Sequence, residues 1–401
     1  MKSMNFLKYL GPGILVTVGF IDPGNWASNV AGGSEFGYKL LWVITLGTII
    51  LIILQHNVAH LGIVTGKCLS ESIKKHIPNN LSKFILASAI FANISVAFAE
   101  ILGLSLALQM LFKIPIEIGS IIGCFLSLFM IFTNTYKKLE KLIIGFVSII
   151  GFSFIFELSL VDVNWPEAIA GSFIPNLDSQ SILVALGILG AIVMPHNLFL
   201  HSEIIQSRQW NLENPNLIKK QLKYELFDTF FSMILGWVIN CAMIILSVSC
   251  FFSKNISVTE LSQAHKLLIP LLGPKAGFIF ALGLFFSGFS SSITAGMAGG
   301  TIFAGIFGKA YDTKNISTKL GIVISIIPTI FIIFFTKDTL KALIYSQVIL
   351  SFQLPITIAS QVYLTSSEKV MGKYKNTPLT KFSIIFIGIL VTSLNLYLLF
   401  H

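Results

Sequence analysis

A carboxylate, a proline, a glycine and an amide follow one another at Asp22-Pro23-Gly24-Asn25, inside a stretch of otherwise apolar and small residues. The flanks read GPGILVTVGFI and WASNVAGG. Such a tetrad cannot form a comfortable helix centre in lipid. Pro23 has no amide hydrogen to donate, and its ring clashes with the preceding turn. Carbonyls freed at membrane depth persist only where they line a cavity or bind something. A second interruption, Met194-Pro195-His196, lies near the start of the second half of the chain. Two proline-broken segments in corresponding positions of two halves point to the substrate site of a transporter.

The rest of the chain fits a membrane setting. Of its 401 residues 54% are hydrophobic and 11% charged, against about 25% charge in a soluble domain. Apolar runs much longer than the roughly 10 residues of a barrel strand predict helices. Eleven spans are expected, at 8–32, 38–63, 84–112, 115–135, 142–161, 179–206, 224–252, 268–306, 320–336, 339–365 and 380–400. The net charge of +9 does not require a nucleic-acid partner, because 20 of the 27 Lys and Arg residues fall in alternate connecting segments. By the positive-inside rule this bias puts the N-terminus in the cytoplasm and, with an odd number of spans, the C-terminus outside. Hydrophilic stretches at 64–83, 207–223 and 366–379 are too short to fold alone, so the chain reads as a single transmembrane domain. Spans 1–5 (about 8–161) and 6–10 (about 179–365) make two sets of five, each opened by a broken span. Five being odd, the second set enters from the opposite side, the arithmetic of an inverted repeat, with an extra helix at about 380–400. Cys68, Cys124, Cys241 and Cys250 show no ligand spacing and read as small core residues, neither a disulfide framework nor a metal site.

Asp22 carries the strongest chemical signal. A carboxylate at mid-membrane costs about 3 kcal/mol or more and marks a functional site by default. Asn25 adds a neutral oxygen three residues on, and unwinding at Pro23-Gly24 would free carbonyls just before it, Gly19 among them. These are hard-oxygen ligands for a cation. Met194 shifts the expectation towards transition metals, because a thioether suits Mn, Fe, Co, Cu or Cd better than Ca or Mg. Carbonyls of the turn before the second break, such as Ala191, can join the shell. His196 can ligate or carry protons.

The segments DPGNWASNVAGGSEFGYKLLWV and AIVMPHNLFLHSEIIQSR resemble the two signature segments of the NRAMP family, as do HLGIVTGKCL, AEILG and LIYSQVILSFQLP. The resemblance covers nearly the whole chain. It implies an all-α integral membrane protein of LeuT-type fold, with eleven transmembrane helices and broken helices 1 and 6. It also implies proton-coupled import of Mn²⁺ or Fe²⁺ across a bacterial cytoplasmic membrane, the metal being substrate and the proton coupling ion. No enzyme activity, cofactor, nucleic acid or obligate protein partner is called for. By resemblance Asp22, Asn25 and Met194 are the side-chain metal ligands, Gly19 and Ala191 supply carbonyls, and Gln347 closes on the metal. Glu100 is the span-3 glutamate of the proton path, and Asn240 resembles a polar gate residue. The chain departs from the family at Ala97, where an Asp is common, and at Lys319, where an arginine is often found. Both bear on the proton route through Asp22, Glu100, His196, His201 and Lys319.

Other polar residues carry weaker signals. His201 follows His196 by five residues and suits a gate hydrogen bond or a proton role. His56 and His60 share a helix face and could bind zinc, but no carboxylate accompanies them, which favours packing and hydrogen bonding. Glu157, Asp162, Glu167 and Asp178 form a solvated outer loop or an acidic funnel. A Mg²⁺-type relative should lack the thioether, and an amino-acid transporter of this fold would have its substrate carboxylate repelled by Asp22. An uncoupled divalent-metal pathway is the remaining alternative.

Overall fold

The computed structural model describes residues 12–207, 215–258 and 260–400; Lys2, Lys8 and Arg208 of the charge pattern lie outside them. The described residues form helices and connecting turns, without a strand. The first half holds α1 (Pro12–Thr17), α2 (Pro23–Phe36), α3 (Leu41–Thr65), α4 (Leu69–His76), α5 (Asn79–Phe112), α6 (Ile116–Thr133), α7 (Tyr136–Leu158) and α8 (Trp165–Phe173). The second holds α9 (Ile182–Ile192), α10 (Pro195–Ser207), α11 (Ile218–Cys250), α12 (Leu261–Leu272), α13 (Pro274–Ile306), α14 (Ile316–Phe334), α15 (Thr339–Thr365), α16 (Glu368–Met371) and α17 (Pro378–Phe400).

Ten of the described segments are long and apolar enough to cross a membrane, and one of them, Pro23–Thr65, has 43 residues. At 1.5 Å per residue it would run about 65 Å, twice the roughly 30 Å hydrocarbon thickness. It therefore holds the second half of one span and all of the next, divided at Gly37, whose φ of 61° is left-handed. The eleven expected spans are recovered in this way. Several boundaries move: the spans expected from 84, 142, 224 and 320 start at Asn79, Tyr136, Ile218 and Ile316, and the eighth, expected from 268, starts at Pro274 because Gly273, at φ 95°, separates the short helix α12 from α13.

The breaks also sit differently from the expectation that Pro23-Gly24 unwinds. A 3-10 turn, Val18–Phe20, ends the first half-helix, Ile21 and Asp22 form the break, and Pro23 is the first residue of α2. Proline is well suited there, since its missing donor is one the first helical turn leaves unbonded anyway. The second break follows the same plan: α9 stops at Ile192, Val193 and Met194 are non-helical, and Pro195 opens α10.

Around the breaks, α2 packs on α9, α5, α11 and α15, while α10 packs on α3 and α13. Trp26 pins α2 to α7 and α13, its ring 4.8 Å from Phe154 and 5.0 Å from Phe280. The pair α5 and α13 is the most extensive helix contact, made possible by small residues in α13. At Gly288 an added Cβ would lie 2.7 Å from the Leu104 amide nitrogen and 2.9 Å from the Glu100 carbonyl oxygen. Backbone cannot step aside as a side chain can. Gly288→Ala is expected to destabilise the fold by about 1–3 kcal/mol, read as a lower thermal unfolding midpoint in detergent.

Candidate metal-binding site

The two prolines select which carbonyls are set free. In a helix a carbonyl accepts from the amide four residues ahead. For Gly19 that residue is Pro23, and for Ala191 it is Pro195, neither of which has an amide hydrogen. The other carbonyls of the first break are taken. Asn240 Nδ2 donates to the Phe20 carbonyl at 2.7 Å, and Ser287 Oγ and Trp26 Nε1 donate to the Ile21 carbonyl at 2.7 and 3.2 Å.

Asp22 caps α2. Its Oδ1 accepts from the Asn25 backbone amide at 2.8 Å and from Asn25 Nδ2 at 2.6 Å. Asn25 Nδ2 also donates to the Ala191 carbonyl at 2.8 Å, tying the two breaks together. With both amide hydrogens used in this way, the Asn25 oxygen points elsewhere. Asp22 Oδ2, Asn25 Oδ1 and Gln347 Oε1 are all buried without a hydrogen-bond partner among the described residues. Gln347 lies on α15 directly against Gly24, where any Cβ would collide with its side chain. Met194 is fully buried in a small apolar cluster with Ala191, Ala97 and Leu350. Asp22, Asn25 and Gln347 are likewise 0% exposed, so the constellation is closed to solvent from both sides. Unpaired oxygens are costly in such a place, and a cation is what a carboxylate, two amide oxygens and a thioether can share.

Glu100 belongs to the same constellation. It is fully buried on α5, Ser291 Oγ donates to its Oε2, and its carboxyl group meets that of Asp22. Two neighbouring carboxylates repel each other, and a proton on one of them or a cation between them relieves the repulsion.

The remaining expected residues divide. His196 is buried beside the break, with both ring nitrogens unpartnered among the described residues. His201 Nδ1 bonds Gln55 Oε1 at 2.7 Å, leaving Nε2 unpartnered. Asn240 bonds the break at Phe20 and accepts from Asn29 Nδ2 at 2.7 Å, so it joins α11 to the first broken helix. Lys319 is exposed at the start of α14 and is not brought to the breaks by any contact. His56 does have a carboxylate, contrary to expectation: Glu225 of α11 lies 2.5 Å from its Nδ1 and also accepts from Thr229. Glu157 is not part of a solvated loop, being fully buried at the end of α7 with both oxygens unpartnered. Asp178 pairs with Lys39 at 3.6 Å, which leaves Asp162 and Glu167 of the expected acidic group lining a cavity of about 560 Å³.

Asn197 was not anticipated. Its side chain fills the space over Gly19, Nδ2 lies 3.8 Å from the Met194 sulfur, and Oδ1 has no partner. The signal was present in the sequence: Asn197 follows Met194 by three residues, as Asn25 follows Asp22.

Known proteins similar to the whole chain give its family. The chain is 38% identical over 404 residues to a divalent metal cation transporter MntH of Caldanaerobacter subterraneus, a match covering 100% of this chain and 94% of that one. It is 36% identical to a natural resistance-associated macrophage protein 2 homolog of Dictyostelium discoideum, covering 100% of this chain and 64% of the relative. A crystal structure of an Eremococcus coleocola manganese transporter superposes with a TM-score of 0.84 at 29% identity, over 98% of this chain and 86% of that one. The family model described as natural resistance-associated macrophage protein-like matches residues 13–401. With both broken helices and nearly the full length accounted for, the chain belongs to the Nramp family and has its LeuT-type fold.

Proposed function

We propose that this protein imports Mn²⁺ or Fe²⁺ across a bacterial cytoplasmic membrane together with protons, by alternating access. The observation that carries the reading is the set of unpartnered oxygens on Asp22, Asn25 and Gln347, buried with the Met194 thioether where the two breaks meet. The relatives described as divalent metal cation and manganese transporters support the same substrate class. The Gly19 and Ala191 carbonyls complete the ligand set. Movement of the broken helices against the packed helices α5, α6, α13 and α14 would open the closed site to one side and then the other. The lysine bias supports an N-terminus in the cytoplasm and a C-terminus outside. Competitive uptake of Mn²⁺, Fe²⁺, Cd²⁺, Mg²⁺ and Ca²⁺ into liposomes, with internal pH recorded, tests the reading. Uptake of Mg²⁺ in preference to Mn²⁺ would refute the substrate class.

Two buried carboxyl groups, Asp22 capping α2 and Glu100 on the packed α5, support a coupled mechanism. A metal ion arriving at Asp22 replaces a proton shared by the two carboxyl groups, and that proton must leave through neighbours such as His196 and His201. Ala97 supplies no second carboxylate on α5, so Glu100 carries the load. Glu100→Gln keeps the Ser291 hydrogen bond but cannot exchange a proton. It is expected to reduce Mn²⁺-driven acidification of the liposome interior several-fold more than it reduces Mn²⁺ affinity. Intact acidification in that variant would place the relay elsewhere, and Mn²⁺ uptake by wild type without acidification would leave the uncoupled reading.

A further inference from the structure

At the far end of α10 from the break, Cys68, Glu71 and Glu203 form a second buried cluster. Their candidate ligand atoms all lie within 4.8 Å of one another. Nine residues separate Glu203 from Met194, which puts it about 13 Å further along the helix axis. The local structure explains part of the cluster. Cys68 is the N-cap of α4, and Glu71 Oε2 accepts from its backbone amide at 3.0 Å. This capping box accounts for Glu71. It does not account for Glu203, which comes from a different helix, is 4% exposed, touches the Cys68 thiol and the Tyr311 backbone, and keeps an Oε2 with no partner among the described residues. Neither glutamate has an ion-pair partner among the described residues. Among the described residues, two carboxyl groups and a thiol pack together with no base supplying a counter-charge.

We infer that Cys68, Glu71 and Glu203 constitute a second divalent-metal site, bridging α4 to the inner end of α10. Metal–ligand bonds of about 2.0–2.3 Å fit between atoms this close after small side-chain rotations. Three protein ligands leave a fourth position for water, the mark of an exchangeable site. The thiolate favours Zn²⁺ and Cd²⁺ over Mg²⁺ and Ca²⁺. An ion would have a way in, because Glu203 lines a cavity of about 350 Å³ together with Asn134, Thr135, Thr301, Tyr311 and Asp312. On the orientation given by the lysine bias, that cavity lies on the cytoplasmic side. The cysteine spacing gave no hint of the site because its ligands lie 132 residues or more apart in two groups, 68–71 and 203.

The test uses the purified full chain in detergent with Cd²⁺ alone as probe. Bound Cd²⁺ is counted by equilibrium dialysis, and the ultraviolet Cd²⁺–thiolate charge-transfer band is recorded. The Met194 thioether gives no such band. Wild type is expected to bind two equivalents and to show the band. Asp22→Ala should bind one equivalent with the band intact, and Cys68→Ser one equivalent with the band lost. Glu203→Gln should weaken the band-forming site by more than the roughly 10-fold typical of a lost supporting contact. Absence of the band in wild type, or its persistence in Cys68→Ser, overturns the inference. If Cys68→Ser does not fold, simultaneous Ser replacement of Cys124, Cys241 and Cys250 decides, since the band must survive there. A chain that shows the band but carries no Mn²⁺ refutes the transport reading alone. One that carries Mn²⁺ without the band refutes the inner site alone.

Discussion

Replacing Asp22 by asparagine should abolish saturable Mn²⁺ uptake while leaving the protein folded and inserted. The side chain has two roles that this substitution separates. Its Oδ1 caps α2 and holds Asn25, which in turn reaches the Ala191 carbonyl. Its charge, with Oδ2 unpartnered, is what a cation would meet. Asparagine retains an oxygen for the cap and removes the charge. Alanine removes both, adding a capping loss of about 0.5–2 kcal/mol. Breaking a buried charge pair costs about 3–5 kcal/mol, more than 100-fold in affinity at 1.4 kcal/mol per decade. Glu100 supplies the other carboxyl group nearby, but the Ser291 hydroxyl holds it on the α13 side. Both Asp22→Asn and Asp22→Ala are therefore expected to lose uptake, with thermal unfolding in detergent close to wild type for Asp22→Asn and lower for Asp22→Ala. Saturable Mn²⁺ uptake by Asp22→Asn would mean that the charge is not what binds the metal.

What could be read in advance divides by the range of the interactions. The spans and the two breaks are local: a proline at 23 and at 195, each following a candidate ligand, marks where a helix starts afresh. The same two prolines identify Gly19 and Ala191 by counting four residues back. The position of the break relative to Pro23 was harder to read, since a proline can either end a helix or begin one. Contacts between distant segments left no local pattern. Glu225 reaches His56 across 169 residues, Ser291 reaches Glu100 across 191, and Asn240 reaches Phe20 across 220. Glu157 looked like a loop residue because hydrophilic sequence follows it, yet α7 carries it into the packed interior. The carboxylate pair Asp22–Glu100 has the same origin: each residue stands out alone as a charge in an apolar run, but only the packing of α2 on α5 joins them.

On the proposed ligand set, Met194 is expected to set selectivity rather than affinity for hard ions. Its sulfur is buried beside Ala191 and Ala97, and Asn197 Nδ2 lies 3.8 Å from it. The proposed oxygen ligands on Asp22, Asn25, Gln347, Gly19 and Ala191 do not depend on it. Met194→Ala should therefore keep part of the Mn²⁺ uptake, weaken Cd²⁺ most, and admit Mg²⁺ or Ca²⁺, ions that gain nothing from a thioether. A fall of about 10-fold or more in the ratio of Cd²⁺ to Ca²⁺ affinity corresponds to about 1.4 kcal/mol of soft-ligand preference. The truncation also opens a cavity, at about 2–5 kcal/mol for Met→Ala in a core. Met194→Leu supplies the control, because it keeps the volume at a cost usually below about 1.5 kcal/mol and removes only the sulfur. If the thioether is a ligand, Leu and Ala shift the Cd²⁺ to Ca²⁺ ratio alike, although only Ala lowers thermal stability. If Leu leaves the ratio unchanged, the residue acts through packing, and discrimination against Ca²⁺ must come from the size of the closed site around Gln347 and Gly24.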